Sequence, residues 1–208
     1  MHAKRRSQKR RRDVGPMYGP PVRETSGSLS GGVSDEWQTT LRAWKSVAPL
    51  FKAWRGRRIW QPFYYDGQCA SHIIKLGFPQ VIHKSGDDFF QRAKDPKFLK
   101  KVDVIWDNPP YTSPETKEAV LRALAATGKP FAMLLPISVL HVGFVRQILD
   151  MSQVQVIVPR RVYVCKTNGP EVPFKYLCWF CYRAQLKRDI FFLEDDEADE
   201  AEADQIHL

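Results

Sequence analysis

The stretch Asp107-Asn108-Pro109-Pro110-Tyr111, directly after the apolar run Val102-Asp103-Val104-Ile105-Trp106, assembles the residue types needed to hold a planar amino group. The Asn108 side-chain oxygen and the Pro109 carbonyl accept its two hydrogens. Pro109 and Pro110 fix φ and remove two amide donors, so the carbonyls meet the amino group without competition. Tyr111 adds a face on which a base or another planar amide can stack. Held in this way, the nitrogen lone pair can point at an electrophilic methyl group. Asp107 is placed to support the arrangement from behind. The plainer alternative is a strand-end turn that uses Pro-Pro as a stop signal.

The elements around this stretch must present it at the end of a buried strand. Arg58-Ile59-Trp60-Gln61-Pro62-Phe63 reads as a short strand that breaks at Tyr64-Tyr65-Asp66-Gly67, and Cys69 to Leu76 continues at helical spacing to a stop at Gly77. Gln80 to Lys84 is a second short strand, followed by Gly86-Asp87-Asp88-Phe89-Phe90. After the tetrad, Thr112-Ser113-Pro114-Glu115 has the form of a capping box with proline in the first turn, opening a helix over 116–127. Phe131 to Pro136 is a fully buried strand, Val142 to Met151 an amphipathic helix, and Val154 to Val158 and Tyr176 to Tyr182 are the closing strands. Alternating strands and helices predict a mostly parallel sheet with helices on both faces and an antiparallel last strand. Ligands of such a sheet sit at the carboxyl ends of its strands, where both the Tyr65–Gly67 turn and the tetrad fall.

Order and spacing resemble those of class I, Rossmann-like S-adenosylmethionine-dependent methyltransferases acting on amino groups. Among these, the chain looks most like N6-adenine enzymes of phage and restriction-modification type, over roughly Trp54 to Tyr182. The resemblance implies that Asn108, Pro109, Pro110 and Tyr111 form the catalytic motif, and that S-adenosylmethionine is the cofactor. Gln61, Phe63, Tyr65, Asp66, Gly67, Asp87 and Asp88 then fall at the cofactor-binding positions. The first motif departs from the family pattern, acidic-Pro-Phe-x-Gly-x-Gly. Gln61 replaces the acid and Tyr65 the first glycine, and a tyrosine does not readily take φ > 0. Either the turn has another shape, with Asp66 receiving the cofactor's ammonium group, or cofactor binding has been lost. Where the family offers a carboxylate to the ribose, this chain has His83-Lys84. Asp87 and Asp88 are the nearest acids, and they equally suit two solvated acids opening a helix at Phe89.

Composition sets the remaining bounds. The chain has 208 residues, enough for one domain with a sizeable core. No apolar run approaches the ~20 residues of a membrane span, and the amino terminus lacks the apolar stretch of a secretory signal. The expectation is an intracellular chain with no membrane partner. Cys69, Cys165, Cys178 and Cys181 are too dispersed for a disulfide framework. Cys178 and Cys181, three apart on a strand, point to opposite faces, so no metal site is expected. Lys4-Arg5-Arg6 and Lys9 to Arg12 make a basic arm, and with the linker after it residues 1–33 form one segment without a core of its own. Such an arm suits nuclear import, a nucleic-acid tether or a solvated tail. Residues 34–190 are the expected methyltransferase domain, and 191–208 an acidic disordered tail. The two ends nearly cancel in charge, so the net +9 belongs to the body, which favours a phosphate-bearing partner.

The connection between the last two predicted strands carries Arg160, Lys166, Phe174 and Lys175, basic residues interleaved with an aromatic around Asn168-Gly169-Pro170. It is the expected substrate-binding segment for nucleic acid, DNA or RNA; an ordinary basic hairpin has the same composition. Little chain remains for a separate target-recognition domain, so sequence choice falls to loops, the arm or a protein partner. Two other readings fit the motifs: methylation of a protein glutamine amide, and a non-catalytic methyltransferase-fold subunit that binds nucleic acid.

Overall fold

The computed structural model describes residues 37–110 and 114–194. The basic arm, Tyr111, the Thr112–Ser113 part of the capping box and the acidic stretch 195–208 lie outside the described residues. The chain divides into two units, Met1–Ser34 and Asp35–Leu208, and every described residue belongs to the second.

A short strand, β1 (Gln38–Thr39), leads into helix α1 (Leu41–Val47), whose first turn is capped by Thr40, with the Ala43 N–H donating to its hydroxyl at 3.4 Å. A 3-10 segment, Ala48–Trp54, continues the same apolar face. Then come β2 (Ile59–Trp60), α2 (Gln68–Lys75), β3 (Val81–Ile82), the single-turn helices α3 (Phe89–Arg92) and α4 (Pro96–Leu99), β4 (Val104–Asp107), α5 (Pro114–Thr127) and β5 (Phe131–Pro136). The chain ends with α6 (Gly143–Ile148), β6 (Val154–Pro159), β7 (Val162–Cys165), β8 (Val172–Phe174), β9 (Leu177–Tyr182) and β10 (Ile190–Leu193).

Seven strands form the main sheet in the order β10-β6-β9-β5-β4-β2-β3. All run parallel except β9, which lies antiparallel between β5 and β6. This is the Rossmann-like α/β sheet that the alternation of strands and helices predicts. The antiparallel strand is not the last one, however. The sheet runs on into residues assigned above to the acidic tail, because Ile190–Leu193 adds β10 to the edge beyond β6. The helix expected over 142–151 is also shorter, ending at Ile148, with a separate 3-10 turn at Met151–Gln153.

Period-two alternation divides the core between the two faces of the sheet. Val104, Trp106, Ala132, Leu134, Trp179 and Cys181 face one way, against Trp44 and Val47 of α1, Phe51 and Trp54 of the 3-10 segment, and Ile73 of α2. Ile105, Phe131, Met133, Leu135, Phe180 and Tyr182 face the other way, against Val120, Leu121 and Leu124 of α5 and Val145 of α6. Apolar residues on both faces make β4, β5 and β9 unbroken apolar runs, as covered strands require. Trp106 is the centre of the first core. Its ring lies 4.6 Å from Phe51, 5.1 Å from Phe78, 5.2 Å from Trp44, 6.0 Å from Trp54 and 6.1 Å from Trp179.

A second, three-stranded antiparallel sheet, β1-β7-β8, has no counterpart in the sequence-based expectation. The segment expected as a plain connection is a hairpin, turning at Asn168 (φ 59°) and closed by the Gly169 N–H on the Lys166 carbonyl at 2.8 Å. Gln38 and Thr39 pair with Cys165 and Val164 along its other side.

Replacement of Trp106 by alanine removes the shared partner of five aromatic rings and leaves a cavity. Trp106→Ala is expected to destabilise the protein by ~3–5 kcal/mol. Urea unfolding followed by circular dichroism checks this; a loss below ~1 kcal/mol would show that the core collapses around the gap.

Candidate active site

The chain leaves β2, forms α2 and β3 on one side of it, and returns as β4 on the other side. The gap between the carboxyl ends of β2 and β4 is therefore the topological switch point, where sheets of this kind bind ligands. The loops that emerge there are Gln61–Gly67 and Asn108–Pro110. They line an open cavity of ≈ 240 Å³, together with Trp37, Cys69, Asp87 and Phe89.

One carboxylate fixes the two loops relative to each other. Asp107, the last residue of β4, is fully enclosed: the Phe63 N–H donates to its Oδ2 at 2.7 Å and the Asn108 N–H to its Oδ1 at 2.8 Å. Burial pushes Asp107 up to about 8, against the opposing pull of these two donors. Asn108 is oriented by a second contact, in which its Nδ2 donates to the Trp37 carbonyl at 3.2 Å. With the amide turned this way, Oδ1 is the side-chain atom that serves as acceptor for an amino group. Pro109 is buried beside it and Pro110 is exposed at the rim.

The first-motif turn does have another shape. Within it the left-handed residue is Gly67 (φ 83°), and Tyr65 keeps a negative φ. A Cβ on Gly67 would sit 2.6 Å from the Tyr64 hydroxyl, so both backbone and space require glycine. Tyr64 stacks on His83 at 4.6 Å, and the His83 Nδ1 lies 2.9 Å from the Gln61 carbonyl. Gln61 itself is buried, and neither polar atom of its side chain has a hydrogen-bond partner.

Asp66 is turned away from the cavity. Gln38 Nε2 and the Gln68 N–H donate to its Oδ1 at 3.0 and 3.1 Å, and Thr167 Oγ1 and Gln68 Nε2 donate to its Oδ2 at 3.0 and 3.2 Å. It ties the turn to β1 and to the β7–β8 hairpin. The two acids after β3 separate in role. Asp87 lines the cavity and is paired with Arg92 at 2.9 Å, and that bond holds its carboxyl below the usual range. Asp88 caps α3, accepting the Gln91 N–H at 2.8 Å.

Of the residues assigned to the site from sequence, Phe63, Tyr65, Asp87, Asn108, Pro109 and Pro110 meet around the cavity. Among the basic-segment residues, Lys166 reaches it through Trp37, its Nζ lying 5.1 Å from that ring, and Phe174 packs on the same ring at 5.2 Å. Lys175 is exposed beyond β8. Arg160 follows β6, three strand positions from β4, roughly 14 Å across the sheet. Trp37 escapes the sequence reading because it precedes the part of the chain that resembles a known family. Its signal is the helical spacing of Trp44, Val47, Ala48 and Phe51 behind a threonine cap, which marks an ordered element immediately after it. Cys69 also lines the cavity, and burial pushes its thiol up to about 12, so it stays protonated.

Fold and site together define a Rossmann-like α/β domain with an Asn-Pro-Pro loop in its switch-point crevice. No protein-family model matches the chain, and no curated protein matches it. Among solved structures it is similar to a predicted O-methyltransferase from Agrobacterium tumefaciens, with 11% identity over 72% of this chain and 83% of that one and a TM-score of 0.36. A likeness of that size carries no weight for activity.

The enclosure of Asp107 has a measurable signature. Its folded value near 8 lies above the ~3.9 of an unfolded aspartate, so between these values the folded state holds a proton that the unfolded state releases. Its contribution to stability therefore falls as pH rises through that window. Asp107→Asn mimics the protonated form. The stability of wild type relative to this variant is expected to decline from about pH 5 to about pH 9 in urea unfolding. A difference that does not change with pH would mean that Asp107 titrates as an ordinary carboxylate.

Proposed function

We propose that the protein is an S-adenosylmethionine-dependent methyltransferase acting on the N6 amino group of adenine in nucleic acid. The observation that carries this reading is the Asn108-Pro109-Pro110 loop at the switch point, its amide oriented by the Trp37 carbonyl and its backbone braced by Asp107. Asn108 Oδ1 and the Pro109 carbonyl accept the two amino hydrogens and hold the nitrogen in one orientation. Pro110 shapes the turn, and Tyr111, outside the described residues, supplies the stacking face. Presentation of the lone pair in a fixed direction is the main chemical task, since positioning alone removes much of the barrier to a bimolecular step. An adenine extruded from a duplex or already unpaired meets this geometry.

The residues of the crevice fit the cofactor. Asp87, kept ionised by Arg92, offers a carboxylate to hydroxyls or to an amino group, and Phe63, Tyr64, Tyr65 and Phe89 give an aromatic wall. When bound, S-adenosylmethionine supplies an electrophilic methyl group on a sulfonium leaving group. The orphaned Gln61 amide marks the position where the family carries an acid. For nucleic acid the support is the net charge of +9 and the placing of Lys166 and Phe174 on Trp37. DNA is slightly favoured over RNA, and the basic arm suits nuclear import as well as tethering.

One observation favours the non-catalytic reading. The cavity of ≈ 240 Å³ falls below the roughly 300–1,000 Å³ usual for small-molecule sites, and Asp66 is engaged by Gln38, Gln68 and Thr167. Calorimetry with S-adenosylmethionine separates the two readings, because the non-catalytic one requires no binding.

With binding established, Asn108→Ala is expected to lower methyl transfer by ~10²–10³ with cofactor affinity unchanged, read by mass analysis of nucleosides from treated DNA and RNA. Near-normal turnover would remove Asn108 from the mechanism. Deletion of residues 1–12, which carry seven Lys and Arg, is expected to flatten the salt dependence of nucleic-acid binding by ~0.7–0.9 for each phosphate that the arm neutralises. A slope unchanged by the deletion would leave import as the role of the arm.

A further inference from the structure

β10 pairs with β6 on one side, and no strand lies on its other side among the described residues. Its side chains alternate. Phe191 and Leu193 pack against the tryptophan core, while Ile190 and Phe192 stand on the opposite face, 54% and 74% exposed. Its peptide groups alternate as well. The Val156 N–H donates to the Asp189 carbonyl at 2.7 Å and the Arg160 N–H to the Leu193 carbonyl at 3.1 Å, so odd-numbered residues turn inward to β6. The N–H and C=O groups of Ile190, Phe192 and Glu194 consequently face the open edge. Outward amides that also carry exposed apolar side chains form a template for another strand.

We propose that the strand it receives is β10 of a second copy of this chain, in antiparallel register about a two-fold axis at Phe191. Only outward-facing residues can exchange ladder hydrogen bonds, which restricts the register to pairs of even-numbered residues. The pairing of Ile190 with Phe192 of the second copy repeats itself across the axis, as a symmetric interface requires. It places the four exposed apolar side chains side by side on one face. The flanking charges settle the choice. In this register Arg188 stands opposite Glu194 of the second copy, and Lys187, counted along the sequence, opposite Asp195. Moved on by one step, with Phe192 opposite Phe192, the register sets Ile190 against Glu194 and Asp189 against Asp195, an apolar–acid mismatch and a like-charge pair. The order Lys187-Arg188, apolar strand, Glu194-Asp195 is thus complementary to itself when reversed. The dimer extends the sheet from seven strands to a continuous sheet across two subunits, away from the switch-point crevice.

Sedimentation of the full-length chain at micromolar concentration and low salt tests the proposal, with no substrate or cofactor present. Wild type is expected at twice its 24.0 kDa mass. Phe192→Lys, which alters an exposed side chain, is expected at the monomer mass with an unchanged circular dichroism spectrum. Arg188→Glu and Glu194→Arg are each expected to weaken association by about tenfold or more, since each reversal acts twice across the axis. The double variant Arg188→Glu/Glu194→Arg restores both pairs and is expected to recover the wild-type mass. A monomeric wild type, a dimer that survives Phe192→Lys, or a double variant no better than the singles would each overturn the proposal.

Discussion

The cavity depends on a carboxylate placed where carboxylates are rarely found. Asp107 ends an otherwise apolar strand, and its two oxygens take one backbone donor from the loop after β2 and one from the loop after β4. Each of those loops begins with a proline or runs into one, so neither has a regular ladder to hold it. The side chain of Asp107 replaces the missing ladder. Its burial raises the cost of ionisation, and the two short bonds are the compensation that keeps it in place. Phe63 and Asn108, on opposite walls of the crevice, are therefore spaced by a single residue.

A second carboxylate performs the same task one layer further out. Asp66 gathers Gln38 from β1, Gln68 from the start of α2 and Thr167 from the hairpin turn. Gln38 also accepts from the Cys165 thiol at 3.5 Å. The small β1-β7-β8 sheet is thereby attached to the first-motif turn, and Trp37 is carried to a position where its carbonyl meets Asn108 while its ring meets Lys166 and Phe174. The proposed catalytic amide and the basic segment thus share one tryptophan, a coupling between chemistry and recognition that runs through the beginning of the described chain.

The sheet is legible in the sequence wherever strands are long and buried on both faces. β5 and β9 are unbroken apolar runs, and the Trp106–Asp107 end of β4 is marked by the abrupt change to Asn-Pro-Pro. β2 and β3, two residues each, are shorter than their sequence pattern suggests, because the flanking Gln61–Phe63 and His83–Lys84 continue in extended form without ladder partners. β10 is hidden by its neighbours: four apolar residues between Lys187-Arg188-Asp189 and a run of acids look like the start of a charged tail. The hairpin resembles a plain connection because its strands are half-exposed and hold Pro173 at an edge, where a missing amide donor is tolerated. At the site, residue types reveal the Asn-Pro-Pro loop, but not that Asp66 is consumed by Gln38 and Thr167, which lie 28 and 101 residues away in sequence.

The distribution of indole rings gives the molecule an unusual optical character. Trp44, Trp54, Trp60, Trp106 and Trp179 are all buried, and Trp44, Trp106 and Trp179 stand within 6.1 Å of one another, close enough to share excitation. Their emission reports on the sheet and its packing. Trp37 alone among the six indoles touches the crevice, with a cation above its ring and a phenyl group beside it. A molecule that enters beside Asn108 therefore changes the surroundings of one fluorophore and leaves five as an internal reference, so the ratio of red to blue emission becomes a gauge of occupancy that needs no label.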